Sequence, residues 1–266
     1  PAPPLTLGPA VKTVKHGGRH MGIPLTPQAH FQSAYITHRL NSGERAYFAV
    51  QGLGTEYMPV PPTVSSKLYW SVCIPRVTHG LEIAVLSDNS LAKLEQAHGK
   101  MAKCIQGLPK QTPNNARIAP LNWISMEAFL DKLKLLFLWR VLLMTVNSIY
   151  KEVALERVHF FVYQYDNGRS LSYKSPMLDM IDTFRKYEMF DTLIEAVTSG
   201  VYMSMSEFKK LCSGKISERE NNRFQLTCMM SKNLDVFSQC ITKIAWWAWW
   251  AFAQKRPDRL TNCRIL

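Results

Sequence analysis

Residues 88 to 109 read DNSLAKLEQAHGKMAKCIQGLP, and this segment carries the most clearly marked helix of the chain. Its inward-facing positions recur every three or four residues and are Leu91, Leu94, His98, Met101 and Ile105. Asp88 or Ser90 can cap the first turn, because a side-chain oxygen accepts from the free backbone N–H groups there. Gly107 followed by Pro109 ends the helix. The segment therefore predicts an amphipathic helix with one buried face.

Helix signals continue on both sides of this segment. On its N-terminal side, apolar residues three to four apart predict a helix from Thr63 that Pro75 kinks or ends. A looser pattern predicts a helix over about residues 31 to 48, which Gly43 interrupts. On the C-terminal side, Ser125 caps a strong helix that extends to about residue 141.

The C-terminal half is also predicted to be mostly helical. One helix is expected over residues 148 to 161. Ser175 followed by Pro176 starts another, which extends to about residue 198 and stops at Gly200. A short helix is expected over residues 206 to 211. The fold class is therefore predicted to be mainly α.

Short β elements are expected in two places. Residues 1 to 62 are rich in Gly and Pro, which limits most of this region to loops and short strands. Residues 158 to 173 carry aromatic and aliphatic runs on either side of Asn167-Gly168, a frequent hairpin turn. The second place is therefore predicted to be a β-hairpin.

Composition limits the classes of partner. The 266 residues have 47% hydrophobic and 20% charged content, which is not that of a disordered chain. A formal charge of +12 and a pI near 9.5 favour a polyanionic partner, with nucleic acid first and an anionic membrane second. No stretch approaches the roughly 20 apolar residues that a membrane span needs. Nucleic acid is therefore the expected partner.

Cysteine usage favours a reduced compartment. The six cysteines form no C-x-x-C pair, and none is spaced against histidines like a zinc finger. Neither a disulfide framework nor a metal site is expected. The chain starts Pro-Ala-Pro-Pro, without a leader pattern, and is interpreted as part of something longer.

Four blocks follow one another along the middle of the chain. They are residues 68 to 82 (LYWSVCIPRVTHGLE), 94 to 98 (LEQAH), 105 to 114 (IQGLPKQTPN) and 120 to 127 (PLNWISME). In order and spacing they resemble the thumb of LINE-type (non-LTR) retrotransposon reverse transcriptases. The resemblance implies the C-terminal part of an RNA-directed DNA polymerase, comprising the end of the palm, the thumb and a C-terminal region.

Upstream, residues 19 to 25 (RHMGIPL) are similar to the element at the end of the palm that touches the primer in that family. The resemblance is good over residues 14 to 144 and looser afterwards. It implies three regions. They are residues 1 to 62, a palm-end remnant and linker; residues 63 to 144, a helical thumb-like domain; and residues 145 to 266, a helical C-terminal region.

The predicted nucleic-acid-binding residues have two sources. The palm-end resemblance supplies Arg19, Met21 and Gly22. The basic helical region supplies Lys93, Lys100, Lys103, Lys110, Arg117, Lys132 and Lys134. Over residues 93 to 140, eight Lys and Arg face three acidic residues, and such a surplus on helices can grip the phosphates of a template-primer duplex. The alternative is an ordinary solvated helix surface.

The catalytic centre of a polymerase is not expected in this chain. Two-metal nucleotidyl transfer needs closely placed carboxylates, and the sequence contains no adjacent Asp pair. Asp179 and Asp182 are three residues apart, which is more typical of a solvated helix face than of a metal site. We therefore expect no catalytic residue and no polymerase activity from this chain alone. By resemblance, Mg²⁺ belongs to a palm active site outside it.

The expected partners follow from the resemblance. They are RNA or an RNA–DNA hybrid, the upstream fingers and palm, and an endonuclease where the element has one. The expected location is a nuclear or cytoplasmic ribonucleoprotein. The alternative function is a domesticated or decayed, non-catalytic helical module that binds nucleic acid or a protein. The cluster from Trp246 to Trp250 is compatible with core packing, base stacking, or membrane or partner contact.

Overall fold

The structure is a computed structural model. It describes residues 6–7, 10–11, 18–20, 23–25, 29–52, 61–166 and 175–230. The cluster from Trp246 to Trp250 lies outside the described residues.

The described residues are mainly helical, as predicted. The ten α-helices among them, α1 to α10, span Ala29–Gly52, Pro62–Leu68, Ile74–Thr78, Asp88–Gln106, Asn114–Ile118, Met126–Leu142, Ile149–Asp166, Pro176–Lys186, Phe190–Ser199 and Met205–Met230. A π-helical turn, Tyr69–Cys73, joins α2 to α3, and a 3₁₀ turn, Leu81–Ile83, follows α3. None of the described helices is long and apolar enough to cross a bilayer.

Short strands lie near the N-terminus, also as predicted. Thr6–Leu7 (β1) pairs antiparallel with Ala10–Val11 (β2), and Gly18–His20 (β3) pairs antiparallel with Ile23–Leu25 (β4). In the second pair, Arg19 lies opposite Pro24.

Pro75 is the second residue of α3, and the helical path continues past it to Thr78. Proline has no N–H to donate, and its ring clashes with the carbonyl oxygen four residues earlier. The π-helical turn just before α3 is wider than an α-helical turn and accommodates both effects. The distortion expected at Pro75 is therefore this π turn, and the helical path does not end there.

Two hydrophobic cores meet along α6. The first is built from α1, the path from α2 to α3, α4 and the start of α6, and its largest fully buried side chain is Trp123. The second is built from α6 to α10 and centres on Trp139, Phe184 and Phe208. Leu130 of α6 belongs to the first core and Leu135 to the second. Helix α6 therefore couples the packing of both halves.

Gly43 lies where α1 packs against α3. A Cβ atom at this position would be 2.5 Å from Cγ2 of Val77 and 3.5 Å from the carbonyl oxygen of Cys73. Glycine in a helix interior costs roughly 1 kcal/mol relative to alanine. At this position the missing side chain permits α1 and α3 to pack closely. Helix α1 is continuous through Gly43, although the sequence pattern predicted an interruption there.

The hairpin predicted near residues 158 to 173 is wrong, because residues 149 to 166 form the single helix α7. Ala154, Val158 and Phe161 are buried and recur every three or four residues, so this face packs into the second core. Burial along one helical face outweighed the β propensity of the aromatic and β-branched residues. Asn167 and Gly168 lie outside the described residues.

The region after Ser175 also differs from the prediction. Ser175 caps α8, as predicted, because its Oγ accepts from the Leu178 N–H at 3.1 Å. The single helix expected up to residue 198 is in fact two helices, α8 and α9. The chain turns between them at Glu188, whose backbone is in the left-handed region with φ 54°. Gly200 ends the second with φ 70°. Helix α10 then continues to Met230, far beyond the predicted residue 211.

Candidate nucleic-acid interface

Helix α4 buries one face and presents lysines on the other. Leu94, His98 and Met101 are buried, as the sequence predicted. The capping residue is Ser87, one position before the predicted Asp88, and its Oγ accepts from the Ser90 N–H. Gly107 ends the helix in the left-handed conformation. The two caps set the ends of α4, and its buried positions leave the opposite side facing solvent.

Four of the predicted binding residues lie on or just after α4, and we call them the α4 basic surface: Lys93, Lys100, Lys103 and Lys110. Lys93 and Lys100 are exposed and seven residues apart, which places them on the same helical face two turns apart. Lys103 is half-buried beside them, and Lys110 is exposed in the turn that follows. The α4 basic surface therefore brings cations to one side of the helix.

Lys100 and Lys103 have different neighbours. The Nζ atom of Lys100 lies 3.0 Å from Oε1 of Glu44, and its side chain is 60% exposed. Such a surface ion pair contributes only about 0–1 kcal/mol, so a phosphate can compete with Glu44. The Nζ atom of Lys103 donates to the carbonyl oxygen of Lys110 at 2.6 Å. Lys103 therefore holds the turn after α4 in addition to supplying charge.

Arg117 does not lie on this exposed surface. It is 7% exposed, and its guanidinium group lies against Gly99 of α4, where a Cβ atom would overlap it. Burial lowers the pKa of Arg117, and the charge of Glu95 partly offsets the effect. The carbonyl oxygen of Arg117 accepts from Nε2 of Gln106. The structure therefore places Arg117 in the packing between α5 and α4, and its role in binding nucleic acid stays a prediction.

Lys134 is likewise engaged within the fold. It is 8% exposed, and its Nζ atom lies 2.7 Å from Oδ2 of Asp179 and 3.7 Å from Oδ1 of Asp131. A phosphate at this ammonium group would have to compete with the buried carboxylate of Asp131 and the partly exposed carboxylate of Asp179. The structure therefore places Lys134 in an internal ion pair and not on the exposed surface of α4, and its role in binding nucleic acid stays a prediction.

Lys132 is half-buried on α6 near α10. Burial lowers its pKa, and the nearby positive charge of Lys209 lowers it further. The two side chains therefore place positive charge where α6 approaches α10. Of the palm-end residues, Arg19 lies in β3, while Met21 and Gly22 lie outside the described residues.

A stack of buried aromatic rings packs against the inner face of α4. His98 stacks on Trp123 with ring centroids 4.7 Å apart, and Tyr69 stacks on the same indole at 4.6 Å. Nε2 of His98 lies 3.1 Å from the carbonyl oxygen of Ile124, which can only accept. Nε2 therefore carries the hydrogen, and Nδ1 accepts from the Tyr69 hydroxyl at 3.0 Å. Both ring nitrogens of neutral His98 therefore have a hydrogen-bond partner.

Stability is expected to fall as the pH drops below 6.5. Burial lowers the pKa of His98 from 6.5 to about 4, so the unfolded chain binds a proton at a pH where the folded chain does not. The free energy of unfolding should decrease by up to about 1.4 kcal/mol per pH unit from this residue. Urea unfolding at pH 6.5 and 5.5 measures the effect.

The control for this pH effect is His159, which is exposed on α7. We expect H98Q to flatten the pH dependence and H159Q to leave it as in the wild type. An unchanged pH dependence in a folded H98Q protein would rule out His98 as its source.

The structure contains a second basic surface that the sequence analysis did not predict. His38 and Arg45 of α1 and Arg76 of α3 line one groove, although 31 residues separate Arg45 from Arg76 in the chain. The seven-residue spacing of His38 and Arg45 was the only available signal, because the approach of α3 depends on tertiary packing.

No group of three or more metal-ligating side chains occurs within the described part of the chain. Asp179 pairs with Lys134, and Asp182 pairs with Arg185 at 2.9 Å, so this acidic pair is used in ion pairs. Comparison with protein-family models, curated proteins and solved structures finds no match to this chain. The candidate site therefore stands on its own residues and geometry.

Proposed function

We propose that this chain is the C-terminal part of a LINE-type retrotransposon reverse transcriptase and that it binds RNA or an RNA–DNA hybrid through a basic helical thumb. The four sequence blocks between residues 68 and 127 support the family. The observation that carries the binding role is the α4 basic surface, which presents cations on one face of a capped and packed helix.

The proposed contact is with phosphates and is independent of sequence. Lysine is a flexible point charge that suits a polyanionic backbone, and phosphate contacts position a protein without reading bases. The neighbouring acid Glu95 accepts from the backbone N–H of Glu127 at 2.9 Å, so this carboxylate is turned towards α6. Polymerisation by the parent protein would need the palm and its Mg²⁺, and the chain alone is proposed to be inactive.

A second candidate function is a protein-interaction module. Helix α7 and the segment before it expose several large apolar side chains: Val146, Ile149, Tyr150, Val153, Phe160 and Tyr163. Contiguous exposed apolar surface frequently marks a protein interface. This surface is separate from the α4 basic surface, so the two candidate functions can be tested independently.

The binding role is tested by fluorescence anisotropy with a short RNA–DNA hybrid over a salt series. We expect micromolar binding at low salt and a steep loss of affinity as salt increases. The variant K100E/K110E should bind more weakly and should lower the salt slope by about 2, or one for each lost phosphate contact. Lys103 is kept because it holds the turn through the Lys110 carbonyl oxygen.

The matched control is R157E/K210E, which reverses two exposed charges on α7 and α10. It changes the net charge by the same amount but should keep most of the affinity. Equal loss in both variants would mean that net charge alone drives binding. A folded wild-type chain that binds no hybrid at low salt would refute the proposed function and direct attention to the apolar surface of α7.

A further inference from the structure

A groove of about 430 Å³ lies between α1 and α3, outside the α4 basic surface. Its lining residues are His38, Asn41, Ser42, Arg45, Ala46, Ala49 and Arg76. Arg45 and Arg76 carry a positive charge, and the side chains of His38, Asn41 and Ser42 offer further hydrogen-bonding groups. None of these described lining residues carries a carboxylate. We call this feature the α1–α3 groove.

The groove follows one face of α1. Its lining positions on that helix recur at the three- and four-residue spacing of a helical face. Ile36, Gly43 and Tyr47 occupy the opposite face and are buried. From His38 to Arg45 the helix rises about 10 Å at 1.5 Å per residue. The polar positions therefore form a row, with Arg76 supplied from the side by α3.

Packing between α1 and α3 holds the groove in shape. The Tyr35 hydroxyl donates to the carbonyl oxygen of His79 at 3.2 Å, and Nη1 of Arg39 donates to that of Arg76 at 3.4 Å. The close approach at Gly43 brings Val77 of α3 against α1. The backbone that carries Arg45 and Arg76 is thus fixed before any ligand arrives, which lowers the ordering cost of binding.

The two arginine side chains at the groove are available for a ligand. Arg45 and Arg76 are exposed and form no ion pair with any described residue. This contrasts with Lys134, whose charge is neutralised by Asp179. Guanidinium groups match phosphate oxygens in a bidentate geometry, and a concave surface of one charge sign attracts a polyanion.

We propose that the α1–α3 groove binds the sugar-phosphate backbone of a nucleic-acid duplex as a second contact site; this rests on the proposed function. Each duplex strand carries a charge about every 3.4 Å of its axis. A row about 10 Å long therefore faces about two or three phosphates. Arg45 and Arg76 contact phosphate oxygens, and Asn41 and Ser42 donate neutral hydrogen bonds beside them.

The chemistry of the lining favours a duplex over a single strand. Proteins that bind single strands stack bases on aromatic side chains, and none of the described residues that line the groove is Phe, Tyr or Trp. Phosphate contacts of this type carry no sequence information. The groove is therefore expected to prefer an RNA–DNA hybrid over a single strand of the same length and to be indifferent to base sequence.

The test compares R45E/R76E with R157E/K210E in binding to a short RNA–DNA hybrid across a salt series. We expect R45E/R76E to weaken binding and to lower the salt slope by about 2, while the control keeps most of the affinity. The variant R45K/R76K should retain part of the affinity, because it keeps the charge but loses bidentate geometry. Circular dichroism establishes that each variant is folded.

A second measurement uses the unmodified chain. The Nε–Hε resonances of Arg45 and Arg76 should shift when the hybrid is titrated and should shift less with a single strand. If the hybrid bound without shifting the Arg45 and Arg76 resonances, or if the R45E/R76E variant bound like the control, the groove would be overturned while the α4 basic surface stayed intact. Preference for the single strand would overturn the duplex assignment. A wild-type chain that binds no hybrid would overturn both proposals.

Discussion

Replacing Trp139 with alanine is expected to lower the free energy of unfolding by about 3–5 kcal/mol, the usual range for a buried tryptophan. The side chain is 0% exposed and stacks on Phe208 with ring centroids 4.0 Å apart and an interplanar angle of 6°. It therefore joins α6 directly to α10. Alanine would leave a cavity at the contact between these two helices.

The indole N–H of Trp139 adds a polar contribution to the loss. Nε1 donates to the carbonyl oxygen of Met203 at 3.2 Å, which fixes the segment between α9 and α10. Without the indole, this part-buried carbonyl loses its partner, and an unsatisfied polar group typically costs about 1–3 kcal/mol when it is shielded from water. The cavity and the lost hydrogen bond therefore both lower the free energy of unfolding.

Urea unfolding followed by far-UV circular dichroism measures the effect. The matched control is Tyr150→Ala on α7, because the Tyr150 side chain is 70% exposed and its loss should change stability by less than about 0.5 kcal/mol. If W139A unfolded at the same urea concentration as Y150A, the second core would not depend on the Trp139 contact.

Local sequence signals were sufficient for the helices with marked ends. Ser125 and Ser175 each accept from a backbone N–H three residues later, as N-caps do, and Gly107 and Gly200 adopt the left-handed conformation that ends a helix. These features depend on residues close together in the chain. They could therefore be predicted without knowledge of the tertiary structure.

Signals that depend on distant residues were not sufficient. The strand predicted from Val158 lies in α7 because the buried face of that helix meets the second core. The same limit applies to the predicted cations. Lys134 is neutralised by Asp179, which lies 45 residues later, and Arg117 is covered through its contact with Gly99. Counting charges along a helix cannot separate those that face water from those that pair inside.

An ion network around the buried carboxylate of Asp131 joins α6 to α8 and α10. Asp131 is 5% exposed; one carboxylate oxygen lies 2.6 Å from Nζ of Lys186 and accepts from the Tyr187 hydroxyl at 3.1 Å. Lys186 also pairs with Glu127, which Arg223 of α10 contacts at 3.1 Å. Burial on its own lowers the pKa of Lys186, but Asp131 and Glu127 outweigh it and raise the pKa overall. The cation is therefore held charged by its two carboxylates.

Changing Asp131 to asparagine is expected to lower the free energy of unfolding by about 1–3 kcal/mol, because a neutral amide replaces the buried carboxylate that interacts with two ammonium groups and a hydroxyl. Lys186 keeps Glu127 and Lys134 keeps Asp179, while the single amide oxygen of asparagine is a weaker acceptor for the Tyr187 hydroxyl than the carboxylate. The matched control is Asp182→Asn, whose side chain is 59% exposed and whose pair with Arg185 should contribute about 0–1 kcal/mol. Urea unfolding compares the two variants at one pH. Equal, small losses in both would mean that water reaches the Asp131 network and screens it as it does a surface pair.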